Sequence, residues 1–175
     1  IKEIDYDYHI SMGSLRRLFR KDLKSFKKSS TGYLKGNSKQ ILEFKNKLNV
    51  SKDFKFIGLS WGSKAKDQMA FFKTIALKDL AVKLYNSNIK FVNLQYGDSS
   101  DQINELKEEK GIEIIDIPEI DKTNDIDSLA SLVCACDMVI SIDNFLVQLS
   151  GSLGVDTRNL ISATTDPRWG LKDFN

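Results

Sequence analysis

Three stretches carry residues suited to chemistry. The first follows the apolar run Phe54-Lys55-Phe56-Ile57-Gly58-Leu59-Ser60 and spans Trp61 to Thr74. It holds Lys64, Lys66 and Lys73 beside Gly62 and Ser63, a cationic, glycine-bearing loop that suits a phosphate ester. Loops from strand to helix usually have about 2–6 residues, so this one is long. The second stretch is the polar corner Ser141-Ile142-Asp143-Asn144. It lies between an apolar run, Met138 to Ile142, and a helical pattern with Leu146, Leu149, Ser150 and Leu153 on one face. A strand that feeds directly into a helix presents unpaired N–H groups and the positive end of the helix dipole, and both favour an anion. Asp143 reads equally well as a ligand-binding carboxylate or as a plain N-cap. The third stretch is the glycine-containing loop Tyr96-Gly97-Asp98, after the run Lys90 to Gln95.

Other chemistries are excluded by what is missing. No Walker pattern is present and no G-x-G-x-x-G follows the first strand, against a P-loop NTPase and an ordinary dinucleotide site. His9 is the one histidine, near the start of the chain, so a Ser-His-Asp triad inside the fold is ruled out. No Cys/His cluster suggests a metal. Cys134 and Cys136, two residues apart, read as small buried apolar residues rather than a disulfide framework. Trp61 and Trp169 are packing residues or rims of a cleft.

These stretches need a scaffold. Of 175 residues, 41% are hydrophobic, enough for a proper core. From residue 54 onward strand and helix patterns alternate. Helices are expected over Ile75 to Asn86, Ser100 to Lys110 and from Asp125 or Asp127. Further strands are expected at Ile112 to Ile115 and Arg158 to Ser162. Five strands alternating with helices predict an α/β, Rossmann-like parallel sheet with helices on both faces, ordered 3-2-1-4-5. Residues 1–50 fall outside that alternation, so a boundary is expected near residue 50. Within them, a helix capped by Ser14 carries Leu15, Leu18 and Phe19 against a basic face with Arg16, Arg17 and Arg20. A second runs from Ser38 to Leu48 with Ile41, Leu42 and Leu48 inward. The basic face suits phosphates or anionic lipid, or is simply solvated. A net charge of +2 gives no general argument for nucleic acid. No apolar run approaches the roughly 20 residues of a membrane span, and no signal pattern opens the chain. A cytoplasmic location is expected. Beginning Ile1-Lys2-Glu3, the chain reads as a piece of a longer protein.

The motifs, taken in order, resemble a known family. They are Gly58-Leu59-Ser60-Trp61-Gly62, Lys73-Thr74-Ile75-Ala76-Leu77, Phe91-Val92-Asn93-Leu94-Gln95-Tyr96-Gly97, Asp137 to Asn144, and Asp166-Pro167-Arg168-Trp169. The chain resembles the C-terminal, donor-binding half of heptosyltransferase-like GT-B glycosyltransferases, in the bacterial branch often fused to tetratricopeptide repeats. The segment with Ser14-Leu15, Phe19 and Tyr33-Leu34 resembles the lead from the N-terminal domain. The resemblance implies a nucleotide diphosphate sugar as substrate, with Asp143, Asn144 and Phe145 at the diphosphate and Lys73 near the family's basic residue. Gln95, Tyr96 and Gly97 would lie near the nucleoside. It implies no cofactor or metal, transfer to an acceptor hydroxyl, and a general base from an N-terminal domain of the same chain. This piece alone would then bind without turning over. Two positions depart from the family: Asn144 stands where Thr or Ser is usual, and Gln148 where His is usual. They leave open a non-catalytic binding or scaffold module that kept the fold and lost the donor site.

Overall fold

The computed structural model describes residues 5–25, 32–63 and 72–162. Residues 1–30 and 31–175 form two compact units. In the first unit, helix α1 (Met12–Phe19) is capped at Ser11 rather than Ser14, whose N–H donates to the Ser11 carbonyl at 2.9 Å. None of the α1 residues is buried.

The second unit runs α2 (Ser38–Lys47), β1 (Lys55–Ser60), α3 (Leu77–Leu84), β2 (Ile89–Asn93), α4 (Ser100–Lys110), β3 (Ile114–Ile115), α5 (Ile126–Ala135), β4 (Met138–Ile142), α6 (Phe145–Leu153) and β5 (Asp156–Leu160). The five strands form one parallel sheet in the order β3-β2-β1-β4-β5, as the alternation predicts. Ile57 of β1 pairs with Phe91 on one side and Met138 on the other. The central strands are covered on both faces, which is why they read as continuous apolar runs. On one face, Phe56, Val92, Leu94 and Val139 pack with residues of α2, α5 and α6. On the other, Ile57, Leu59, Phe91 and Ile140 pack with α3 and α4.

The sequence reading places α2 with residues 1–50, outside the alternating unit. The structure places it in the second unit. Phe44 and Leu48 join the core, while Leu42, expected inward, is 61% exposed. The Asn37 N–H donates to Ser131 Oγ at 3.1 Å, and Ser131 Oγ donates to Gln40 Oε1 at 3.1 Å. The segment before α2 is also fixed. Gly32 turns the chain at φ 70°, where a Cβ would overlap the backbone of Leu153 and Gly154. Tyr33 and Leu34 then both donate backbone N–H groups to the Ser152 carbonyl, at 2.8 and 2.9 Å.

Local chemistry sets the helix ends. The Asp125 carboxylate, one of two expected caps, accepts from the Ser128 N–H at 3.0 Å. Gly111 and Gly154 end α4 and α6 in the left-handed conformation.

Candidate functional site

The carboxyl ends of β1, β2, β3 and β4 gather the first-choice residues along one edge, where open α/β sheets bind ligands. The β4–α6 corner is the best defined part. Asn144, not Asp143, is the N-cap: its Oδ1 accepts from the Leu146 N–H at 2.9 Å and from Ser141 Oγ at 3.1 Å. Its Nδ2 donates to Ser60 Oγ at 2.9 Å, tying the helix start to the end of β1. Asp143 is released from capping. It is buried, and its Oδ2 accepts from Lys73 Nζ at 3.2 Å. Phe145 opens the helix with its side chain 56% exposed. The Asn144 cap engages the N–H of Leu146, and those of Phe145 and Val147, in the same first turn, have no acceptor within the helix ladder.

Lys73 reaches the corner because its long loop is closed at the neck. The Ile75 N–H donates to the Trp61 carbonyl at 2.9 Å and the Ser63 N–H to Thr74 Oγ1 at 3.2 Å. Trp61 is a packing residue, buried, with its indole N–H donating to Gln102 Oε1 at 2.6 Å. Lys64, Lys66, Trp169 and the Asp166-to-Trp169 motif lie outside the described residues.

Gln95 lies in the same neighbourhood but its amide is spent on the protein. Its Oε1 accepts from Ser60 Oγ and from the N–H groups of Trp61 and Gly62, at 3.0, 2.9 and 2.9 Å. Its Nε2 donates to the carbonyls of Gly62 and Tyr96, at 3.0 and 3.2 Å. Gln95 therefore clamps the start of the Lys73 loop to the loop after β2. Through Ser60 that clamp continues to Asn144. Gly97 takes a φ of 72° and lies exposed beside Tyr96.

Two cavities open on this edge. One, of about 370 Å³, is lined by Leu94, Tyr96, Ile126, Leu129, Phe145 and Leu146, among others, and is mostly apolar. The other, of about 240 Å³, is polar and includes Asn93, Gln95, Asp98, Asp116 and Asp121. Lys122 and Thr123 border both. Sequence reading missed this pair of cavities and the polar group around Asp116. The signal available was Asn93, a polar residue ending an apolar strand; it is buried, and its Nδ2 donates to Asp116 Oδ1 at 3.0 Å. Cys136 is buried, and burial pushes its thiol up to about 12, an inert packing residue. Among the described residues, no cluster of His, Cys, Asp and Glu is arranged to hold a metal ion, and no helix is long and apolar enough to cross a membrane.

The sheet that carries this edge has counterparts among solved structures. The same α/β fold is found in solved glycosyltransferases. The E. coli ADP-heptose lipopolysaccharide heptosyltransferase II superposes with a TM-score of 0.53 over 77% of this chain and 40% of its own, at 17% identity. A family 9 glycosyl transferase from Veillonella parvula gives 0.52 over 79% of this chain and 40% of its own, also at 17% identity. The E. coli heptosyltransferase WaaC, with ADP-2-deoxy-2-fluoro heptose, gives 0.50 over 93% of this chain and 48% of its own, at 18% identity. In sequence, Protein FlbA of Caulobacter vibrioides is 29% identical over 171 residues, covering 97% of this chain and 28% of FlbA. The chain thus spans less than half of each of these proteins. No family model matches it.

Proposed function

We propose that this chain is the donor-binding domain of a glycosyltransferase, holding a nucleotide diphosphate sugar whose sugar is passed to an acceptor hydroxyl. The observation that carries the reading is the corner itself. A helix N-terminus, a loop lysine drawn to the same point by Asp143, and an apolar cavity bounded by the same helix lie on the ligand edge of the sheet. The heptosyltransferases of the same fold, one of them with ADP-2-deoxy-2-fluoro heptose, support it. In this reading the diphosphate rests on the N–H groups that open α6 and on Lys73. These donors stabilise charge growing on the leaving diphosphate, the usual role of preorganised dipoles and cations. Tyr96, Gly97 and Phe145 border the nucleoside. The general base and acceptor site belong to another domain of the full protein, so this chain binds without turnover.

The reading is tested by calorimetric titration with UDP, GDP, ADP and pyrophosphate against wild type, Phe145→Pro and Phe145→Ala. Proline is tolerated at the first helical position but removes its N–H. Losing one charge-assisted hydrogen bond costs about 1.5–3 kcal/mol, or roughly ten- to a hundred-fold in affinity. The alanine variant separates that loss from the loss of the ring. Phe145→Pro is expected to weaken pyrophosphate by this factor and Phe145→Ala to leave it unchanged. No binding of any ligand to wild type at millimolar concentration sinks the donor reading. A second reading, a scaffold module with the donor site lost, is favoured by one observation: the Asn144 side-chain oxygen is taken up by Ser141 and Leu146 and its amino group is tied to Ser60. That reading takes over if nothing binds.

A further inference from the structure

Lys122 is an unusual lysine. Its side chain is 8% exposed, in a turn held by Asp121, whose carboxylate accepts from the N–H groups of Thr123 and Asn124. A buried ammonium needs partners for three N–H bonds. Among the described residues Lys122 has one, Asp116 Oδ1 at 2.8 Å. That oxygen is already shared with Asn93 Nδ2 and the Ile117 N–H, at 3.0 and 2.9 Å. The ammonium is thus fixed in place with donor capacity to spare. Lys122 lines both cavities.

The charges around it orient a ligand. The polar cavity carries the carboxylates of Asp98, Asp116 and Asp121, which repel a diphosphate. The apolar cavity carries none, and reaches from Lys122 to Asn144 and Phe145 at the start of α6. A molecule with a flat apolar ring at one end and a polyanion at the other fits with its ring toward Lys122 and its phosphates toward α6 and Lys73.

We propose that Lys122 selects the nucleobase, donating its spare N–H to the carbonyl that uracil and guanine carry where cytosine and adenine carry an amino group, so that the two keto bases are preferred. This rests on the donor-site reading above. An ammonium only donates. A carbonyl oxygen answers it, whereas an exocyclic amino group at the same place sets donor against donor and leaves the remaining N–H bonds of the ammonium unmet. Sites built on such a bond discriminate strongly against a ring that lacks the matching group.

The test is titration of the chain with UDP, GDP, ADP, CDP and pyrophosphate, for wild type, Lys122→Met and Lys122→Gln, with thermal unfolding of each. Wild type is expected to bind UDP or GDP at least about ten-fold more tightly than ADP and CDP, the factor for one charge-assisted bond. Lys122→Met should close most of that gap and leave pyrophosphate unchanged. Lys122→Gln, which offers an acceptor as well as donors, should tighten ADP or CDP relative to UDP and GDP. Tightest binding of ADP or CDP by wild type overturns the inference without any variant, even should both variants misfold. A gap that survives in folded Lys122→Met overturns it too. If pyrophosphate binds while all four nucleotides bind equally, Lys122 is no selector but the donor site stands. If nothing binds, both readings fall.

Discussion

Lys73 and Asp143 are joined at 3.2 Å with side-chain exposures of 23% and 5%, so the carboxylate is the more buried partner. The sequence suggests a surface cation there, and a surface pair is worth about 0–1 kcal/mol. Geometry raises the stake, because removing the lysine takes a cationic partner away from a buried carboxylate. Lys73→Ala is expected to cost about 1–3 kcal/mol of stability in addition to weakening pyrophosphate. Lys73→Ala with Asp143→Asn should recover much of the stability and none of the binding. Urea unfolding and calorimetry on the two single variants and the double measure both effects. Additive stabilities would mean the pair is not coupled. The residues around this pair show where sequence reading stops. Asp143 and Asn144 are both good caps in isolation. Asn144 wins because its amide, with donors and an acceptor, also meets Ser60 and Ser141, strand partners that no local pattern reveals. Gln95 is similar: its position was legible, but its role as a clamp depends on five bonds to groups up to 35 positions away.

At the scale of elements, the turn and cap chemistry was the readable part. Met138–Ile142, Ser100–Lys110 and the glycine end of α6 lie where their patterns put them. The misses have physical causes. Ser11 and Ser14 flank one turn, and neither side chain makes a cap bond, so composition had nothing to choose between. Phe44 rather than Leu42 faces inward, because α2 lies against α5, a contact beyond the reach of a helical wheel. The cap of α5 gives a test by pH. The Asp125 carboxyl is held below the usual carboxylate range, by hydrogen bonds from the side chain and N–H of Ser128. A depressed carboxyl stabilises the fold above its unfolded pKa, about 3.9, and that contribution disappears as pH falls through the lower folded value. Asn also caps, but does not titrate. Asp125→Asn is therefore expected to match wild type near neutral pH and to lose less stability on acidification. Melting temperatures at neutral pH and below pH 4 compare them. Equal acid losses would show that Asp125 contributes nothing to the pH dependence.

For the whole molecule, the alternation of patterns was enough to fix the strand order, since right-handed crossovers leave few alternatives. It was not enough to fix the unit boundary. A lone helix before the first strand carries no mark of the side it joins, and α2 joins the sheet through Phe44 and Leu48. Both core clusters, among the described residues, draw only on residues 31–175. A chain beginning at residue 31 is thus expected to unfold cooperatively, with a melting temperature within about 4 °C of the longer chain, roughly 1 kcal/mol at this size. Circular dichroism melts of the two chains check this, and a broad, non-cooperative melt would refute it. The turn at Gly32 has a mechanical consequence. There the incoming chain is fastened by two backbone bonds to Ser152, in the last turn of α6. The opposite end of that helix, nine residues and roughly 13 Å away, forms the corner with Asp143 and Asn144. A Cβ at Gly32 would overlap the backbone at the end of α6, so any larger residue there would press on one end of a helix whose other end forms the ligand edge of the sheet.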